Sequence, residues 1–402
     1  MRVRVVCVLA VAAAVAGMCS PAAFGSRLVS VGYATPAALH GLHVVQRVPA
    51  LHAAEVQVSG RREVLALRAR PGIRFVQTVV ARSLAGGPIL ADAQGAAALQ
   101  WQWAAMHADL VPASARQAAG DFTIAVIDTG ADVSAPTIAG KGPVTYNVVA
   151  GNSFVQDKVG HGTFVASLAA GFGGDAQLMI VQANRSGANF SDLDEANAIV
   201  WAVDHGARII NLSLGGTRTS IIECHAIDYA VAHDVLLVAS AGNAALQGNP
   251  IIYPAALVGR RGLVVGASGT DGGRARFSTT GSYVDVLAPG VNVLGALAGG
   301  ALPGGLFSPV ATPGWIGSYA LGSGTSYAAP EVAGAAAIVW AANPLLSPAG
   351  VAAVIEGSSS GHGAWSDDRA FGTVDIAAAV AHAADPVPPQ VMLPPGPVRA
   401  GR

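Results

Sequence analysis

From residue 122 onward, short runs of valine, isoleucine and leucine alternate with longer stretches whose apolar positions recur at helical spacing. The runs occupy 122–127, 207–211, 235–239, 263–265 and 283–287. None shows the apolar–polar alternation of a strand with one wet face, so each is expected to be buried on both faces. Helices are predicted between them. Ser191-x-x-Asp194 forms a capping box ahead of a helical pattern over 196–205, and Gly206 suits its C-cap. Further helices are predicted over 220–233 and 325–342. Strand–helix alternation of this kind predicts an α/β fold with a mostly parallel, twisted sheet and helices on both faces. Functional groups then belong at the carboxyl ends of the strands.

Residues 24–99 follow a different pattern. Strand-like segments are expected at 44–48, 55–59 and 63–67, and Pro71-Gly72 turns the chain into another strand ending at Gln77. Small residues and glycine dominate 85–98, which suits an exposed, cleavable linker. At the N-terminus, Arg2 and Arg4 precede an apolar run from Val5 to Met18, followed by small residues around Ser20–Ala23. That is the layout of a secretory signal peptide over 1–22, with cleavage after Ala22 or Ala23. The run is short for a membrane span. Cys19 lacks the small preceding residue that lipidation needs, because Met18 stands there. Residues 385–402 hold six prolines and no periodicity, so an extended, disordered tail is expected.

Composition narrows the field. A net charge of −1 with 12% charged residues offers no electrostatic footing for nucleic acid. Of three cysteines, Cys7 and Cys19 belong to the leader, so Cys224 is expected as a lone, semi-buried thiol and a large packed core must hold the chain together. Cys224 and His225 find no second pair at metal-ligand spacing, so no metal is expected from them.

Four short stretches carry chemistry. In Leu321-Gly-Ser-Gly-Thr-Ser-Tyr-Ala-Ala-Pro330, two glycines permit a sharp turn and Ser326 falls in the first turn of an apolar helix. Unpaired amides and the positive end of the helix dipole favour negative charge developing beside it. A serine so placed can equally be an N-cap. Asp128 closes the 122–127 strand in Asp-Thr-Gly130. Aspartic proteases use the same tripeptide, but they need two copies and this chain has one, which would demand a homodimer. His161 sits between glycines at the start of an apolar helix, where a structural histidine is the plainer reading of one residue among ten histidines. Asn243 follows the 235–239 strand in Ala-Gly-Asn, as a hydrogen-bond donor or as a turn residue.

Taken in order, Asp-Thr-Gly130, His161-Gly-Thr, Asn211-x-Ser-Leu-Gly-Gly216, Ala241-Gly-Asn243 and Gly324-Thr-Ser-x-Ala-x-Pro330 make the chain resemble the subtilisin-like serine proteases over residues 100–384. The Asp…His…Ser order is that of subtilisin itself. The resemblance implies a three-layer subtilisin-like fold and a serine endopeptidase acting through Asp128, His161 and Ser326, with Asn243 in the oxyanion hole. It implies that polypeptide substrates pair as a strand with Ser213, Leu214 and Gly215 and, more loosely, with 186–188. Phe190 is expected to line the subsite four residues before the cut, and Ile252 to fill the floor of the primary pocket. Residues 23–99 become an inhibitory α+β propeptide and linker, and the mature enzyme a secreted monomer. Members of the family often bind calcium, though no carboxylate cluster matches a site and no other cofactor is expected. Phe164 and Tyr327 depart from the usual His and Met, and a Gly/Pro-rich loop spans 298–317. The competing reading is a catalytically silent scaffold or binding protein of the same fold.

Overall fold

A computed structural model of the chain describes residues 27–84, 101–299, 308–310 and 318–384. The expected signal peptide, the 85–98 linker and the 385–402 tail lie outside the described residues. The chain divides into two units, Met1–Val79 and Val80–Arg402.

In the first unit, β1 (Arg27–Tyr33), β2 (Val44–Val48), β3 (Ala53–Val58) and β4 (Ile73–Thr78) form an antiparallel sheet in the order β2-β3-β1-β4. The helix α1 (Arg61–Ala69) packs on it. Val29, Val31, Tyr33, Val56, Val58 and Leu67 form the unit's own core. Residues 63–67, expected as a strand, belong to α1. Arg, Glu, Leu and Ala are strong helix formers. The Glu63 carboxylate also accepts the Ser59 amide at 2.6 Å, in the manner of a capping residue. Val64 and Leu67, three apart, supply the buried face. The turn at Pro71-Gly72 forms as expected, with Gly72 at φ +81°.

The second unit is built on a seven-stranded sheet, all of whose ladders are parallel. In chain order the unit holds β5 (Ala81–Leu84), the short helices α2 (Trp101–Ala105) and α3 (Ala113–Ala118), β6 (Thr123–Asp128), α4 (Pro136–Ala139), β7 (Val144–Asn147), α5 (His161–Phe172) and β8 (Gln177–Gln182). Next come β9 (Asn184–Ser186), β10 (Asn189–Ser191), α6 (Asp192–Asp204), β11 (Ile209–Leu212), β12 (Leu214–Gly215), α7 (Ile221–Ala232), β13 (Leu236–Ser240), α8 (Ala255–Val258), β14 (Leu263–Ser268) and β15 (Val286–Pro289). The unit closes with β16 (Val293–Leu297), β17 (Ser308–Val310), β18 (Ser318–Gly322), α9 (Thr325–Ala342), α10 (Pro348–Ser358) and α11 (Ile376–Ala384).

The sheet order is β15-β14-β13-β11-β6-β8-β7. Ile124, Val126, Leu178, Ile180, Leu236, Val238, Val265 and Val286 point to one face and share a core with α5 and α9. Their alternates, among them Ala125, Ile127, Met179, Val181, Ile210 and Leu237, are equally buried and face the other way, towards α6 and α7. This is the expected three-layer arrangement. β7 and β8 were not anticipated, because Leu-Met-Ile-Val is too short a run to distinguish a strand from a helix end. The 283–287 strand begins three residues late. The Asp285 carboxylate accepts the Val264 amide at 2.7 Å while the Asp285 amide donates to the Val264 carbonyl at 2.9 Å, so the side chain takes one of the two backbone partners there.

Two smaller sheets flank this frame, in the orders β12-β5-β10-β9 and β16-β18-β17. Cys224, expected to be a lone thiol, is buried on α7 and disulfide-bonded. Among the described residues no helix is long and apolar enough to cross a membrane.

Candidate active site

Three adjacent central strands deliver polar groups at their carboxyl ends. β6 ends in Asp128, β11 runs into Ser213, and β13 leads to Asn243. Asp128 accepts the Thr129 amide at 2.7 Å, and its two oxygens lie 2.9 and 3.0 Å from His161 Nδ1. A carboxylate only accepts, so Nδ1 carries the proton and Nε2 is the basic nitrogen. Nε2 makes no hydrogen bond among the described residues. His161 and Asp128 are buried. His161 is the first residue of α5, turned in by Gly160 at φ +88°. A Cβ on the next residue, Gly162, would lie 2.1 Å from the Gly130 carbonyl, so the helix start and the Asp-Thr-Gly turn touch through bare backbone.

Asp157, which sequence reasoning passed over, joins these two pieces. Oδ1 accepts from Thr129 Oγ1 at 3.0 Å and from the Val159 and Gly160 amides at 3.0 and 2.8 Å. Oδ2 accepts from the Thr163 amide and hydroxyl at 2.8 and 2.7 Å. Burial raises the Asp157 pKa against the pull of Thr163 and Gly160, with Asp128 adding to the rise. Its signal was an acid four residues before His161, with threonines on both sides of the junction.

Ser326 occupies the first turn of α9. Its carbonyl would ordinarily receive the amide four residues on, but that residue is Pro330, which has none. The Ser213 hydroxyl supplies the missing donor at 2.8 Å, and Ser326 Oγ donates in return to the Ser213 carbonyl at 3.0 Å. Asn243 Oδ1 accepts from the Thr325 amide and hydroxyl, both at 2.9 Å, and Thr325 Oγ1 accepts the Gly242 amide at 3.0 Å. With its acceptor end held by Thr325, the orientation of the Asn243 amide donor is set. Phe164 and Tyr327, the two departures from the family pattern, pack together with ring centroids 4.4 Å apart, and Tyr327 lies 5.5 Å from the His161 ring. Burial, then Asp128, raises the Tyr327 pKa, so the phenol stays neutral.

Leu214 and Gly215, expected to pair with substrate, pair with a strand of the chain itself. β5 lies antiparallel between β12 and β10, with Leu84 opposite Leu214, Ser83 opposite Gly215, and Arg82 opposite Phe190. Residues 186–188, expected as the second edge, form the end of β9 and the turn of the β9–β10 hairpin; the pairing strand is Asn189–Ser191. Phe190 is buried beside β5. Ile252 is buried between two backbone segments, and its Cγ2 methyl and Cγ1 methylene lie where a Cβ on Gly215 or Gly242, respectively, would meet them, at 2.8 and 2.6 Å. Among the described residues no three His, Cys, Asp or Glu side chains gather as a metal site.

The family model of the subtilase family matches residues 120–374. This chain belongs to the subtilase family. Among curated relatives, subtilisin amylosacchariticus of Bacillus subtilis subsp. amylosacchariticus is 32% identical over 248 residues, covering 59% of this chain and 60% of that protein. The thermophilic serine proteinase of Bacillus sp. strain AK1 is 34% identical over 227 residues, 54% of this chain and 51% of its own. The chain thus spans about three-fifths of the length of the first of these curated subtilases. Among solved structures, fervidolysin of Fervidobacterium pennivorans, a keratinolytic enzyme related to subtilisin, superposes with a TM-score of 0.73 at 24% identity, covering 91% of this chain and 62% of its own. The epidermin leader peptide processing serine protease of Staphylococcus aureus gives 0.72 at 20% identity, covering 90% and 99%. These likenesses show the subtilase fold.

Proposed function

We propose that the chain is a secreted serine endopeptidase, made as a zymogen, that cleaves extended polypeptides through Asp128, His161 and Ser326. One observation carries this reading: the buried His161–Asp128 pair lies 5.5 Å from the ring of Tyr327, the neighbour of Ser326, and Ser326 exchanges hydrogen bonds with Ser213 beside the edge where a strand pairs with Leu214 and Gly215. His161 Nε2 takes the proton of the Ser326 hydroxyl as its oxygen attacks the scissile carbonyl, and later returns it to the leaving amine. To do so the hydroxyl turns from the Ser213 carbonyl towards the imidazole. Asp128 holds the tautomer and stabilises the imidazolium. The Asn243 amide and the Ser326 amide receive the oxyanion, in a position further favoured by the α9 dipole. Water then releases the acyl group.

Backbone pairing with β12 and β10 makes substrate choice tolerant of sequence, with pockets adding selection. Ile252 narrows the primary pocket, which favours small or medium apolar residues before the cut; a peptide-library profile dominated by Phe or Tyr there would reject this assignment. Residues 23–99 act as propeptide, with β5 lying in the place of a substrate and inhibiting the enzyme until it is cut and released. The leader directs secretion, and the mature enzyme is a monomer.

The silent-scaffold reading draws on the Ser326 hydroxyl engaging Ser213 rather than His161. A serine-directed fluorophosphonate decides between them. The secreted wild-type protein is expected to be labelled and the Ser326→Ala variant not; an unlabelled wild type supports the scaffold.

A further inference from the structure

Arg82 is a charged residue on β5 and is only 1% exposed. Its Nε and Nη2 donate to the two carboxylate oxygens of Glu223 at 2.8 and 2.7 Å, a bidentate fork, and Nη1 donates to the Ala81 carbonyl at 3.3 Å. Glu195 is fully buried beside them, with Oε2 3.7 Å from Nε. Asp192, also fully buried, clamps the entry of the strand: it donates its amide to the Val80 carbonyl at 2.9 Å and accepts the Val80 amide at 3.2 Å and the Ser220 hydroxyl at 2.7 Å. Three acids thus surround one guanidinium.

The acids are built into the frame of the enzyme. Glu195 and Glu223 stand in the first turns of α6 and α7, whose N-caps Ser191 and Ser220 accept from Asp194 and Glu223. Helix N-termini favour the carboxylate form. Burial raises the pKa of both Glu195 and Glu223, Glu195 the more, and Arg82 works against the rise. Removal of the guanidinium would strand an uncompensated charge in a dry site, a strongly unfavourable state. The pocket calls for a forked cation, and a planar guanidinium fits it better than a lysine ammonium.

The register shows where this pocket stands relative to the chemistry. Gly215 pairs with Ser83 and Leu214 with Leu84. A substrate strand continued in that register brings its next residue level with Ser213, whose carbonyl accepts the Ser326 hydroxyl. That residue presents its carbonyl to the nucleophile, and the Arg82 position is the fourth before the bond cut.

We propose that Glu223 and Glu195, with Asp192, form a subsite that selects arginine at the fourth residue before the scissile bond in substrates. This deepens the proposed peptidase activity and rests on it. It also amends the apolar expectation attached to Phe190: the aromatic ring covers one side of a pocket whose floor is acidic.

The test uses internally quenched peptides that differ only at the fourth residue, as Arg, Lys, Leu or Glu, with wild-type mature enzyme titrated by fluorophosphonate. Arginine is expected to exceed leucine in kcat/KM by about 30-fold or more, as a buried charge pair commands, with lysine between them. Within Glu223→Gln enzyme the arginine-to-leucine ratio is expected to collapse towards one. If Glu223→Gln fails to mature, the profile of the wild type decides the matter. Phosphonate-labelled enzyme with a flat profile at this position overturns the arginine subsite and leaves the peptidase reading standing. Absence of labelling overturns both.

Discussion

Asp157 offers the most direct measure of what holds the Asp128 turn and the His161 helix together. Replacement by alanine removes the acceptor of three backbone amides, from Val159, Gly160 and Thr163, and of two threonine hydroxyls. A hydroxyl can rotate to another partner, whereas a buried amide cannot. Each stranded amide costs about 1–3 kcal/mol. Against this, burial holds the Asp157 pKa above the ordinary carboxylate value, so removing the acid also relieves a desolvation penalty. The balance places Asp157→Ala at about 4 kcal/mol of lost stability, a large part of the 5–15 kcal/mol of a typical domain. Asp157→Asn keeps one acceptor oxygen but turns an NH2 group towards the Thr163 amide, and is expected to cost about half as much. Urea unfolding in a Ser326→Ala background, which prevents self-digestion, reads the midpoint at unchanged slope. In active protein the same substitution is expected to lower kcat/KM by tenfold or more, since a displacement of about 1 Å at Asp128 or His161 carries such losses. A midpoint equivalent to less than about 0.5 kcal/mol of change would show that water replaces the carboxylate freely and that the junction is held by other contacts.

Three further outcomes follow from the same geometry. Burial raises the Glu356 pKa from 4.5 to about 7, and the sign is that of a group held neutral by folding. Its stabilising effect is intact below pH 4.5 and is lost as pH climbs towards 7, by at most about 3 kcal/mol at 1.36 kcal/mol per unit. Unfolding midpoints of Glu356→Gln should therefore fall less than those of the parent between pH 4.5 and 7.5, and parallel curves would contradict the raised value. Gly162→Ala places a methyl 2.1 Å from the Gly130 carbonyl; secretion of soluble, phosphonate-reactive protein at wild-type yield would refute the close backbone contact. Asn243→Ala should reduce kcat by about 10²–10³ with little change in KM, the size of loss that removal of one oxyanion-hole donor brings, and equal losses in KM would move Asn243 from the oxyanion to ground-state binding.

Much of the fold and of the candidate site was legible along the chain. β6, β11, β13 and β14 are short apolar runs flanked by glycine and polar residues, and a strand buried on both faces has little freedom to look otherwise. Asp128, His161, Asn243 and Ser326 each stand at the end of a strand or the start of a helix, with glycine beside them, because such chemistry needs sharp turns and exposed amides. The four-residue apolar core of β8 carried no periodicity, and α1 was mistaken for a strand because Val64 and Leu67 suit either period over so few residues.

What lay out of reach along the chain was whatever depends on residues far apart in sequence. The Asp157 junction joins partners up to 28 positions away, and the exchange between Ser213 and Ser326 spans 113. The acidic pocket draws on α6 and α7 to hold an arginine 141 residues from Glu223. The order of residues determined which local elements form and which of them carry the candidate site residues, since propensity, capping and burial act over a few positions. Only the folded sheet decided which carboxylates face a common guanidinium, because that choice belongs to helix packing and strand register, and neither leaves a mark within any single stretch of sequence.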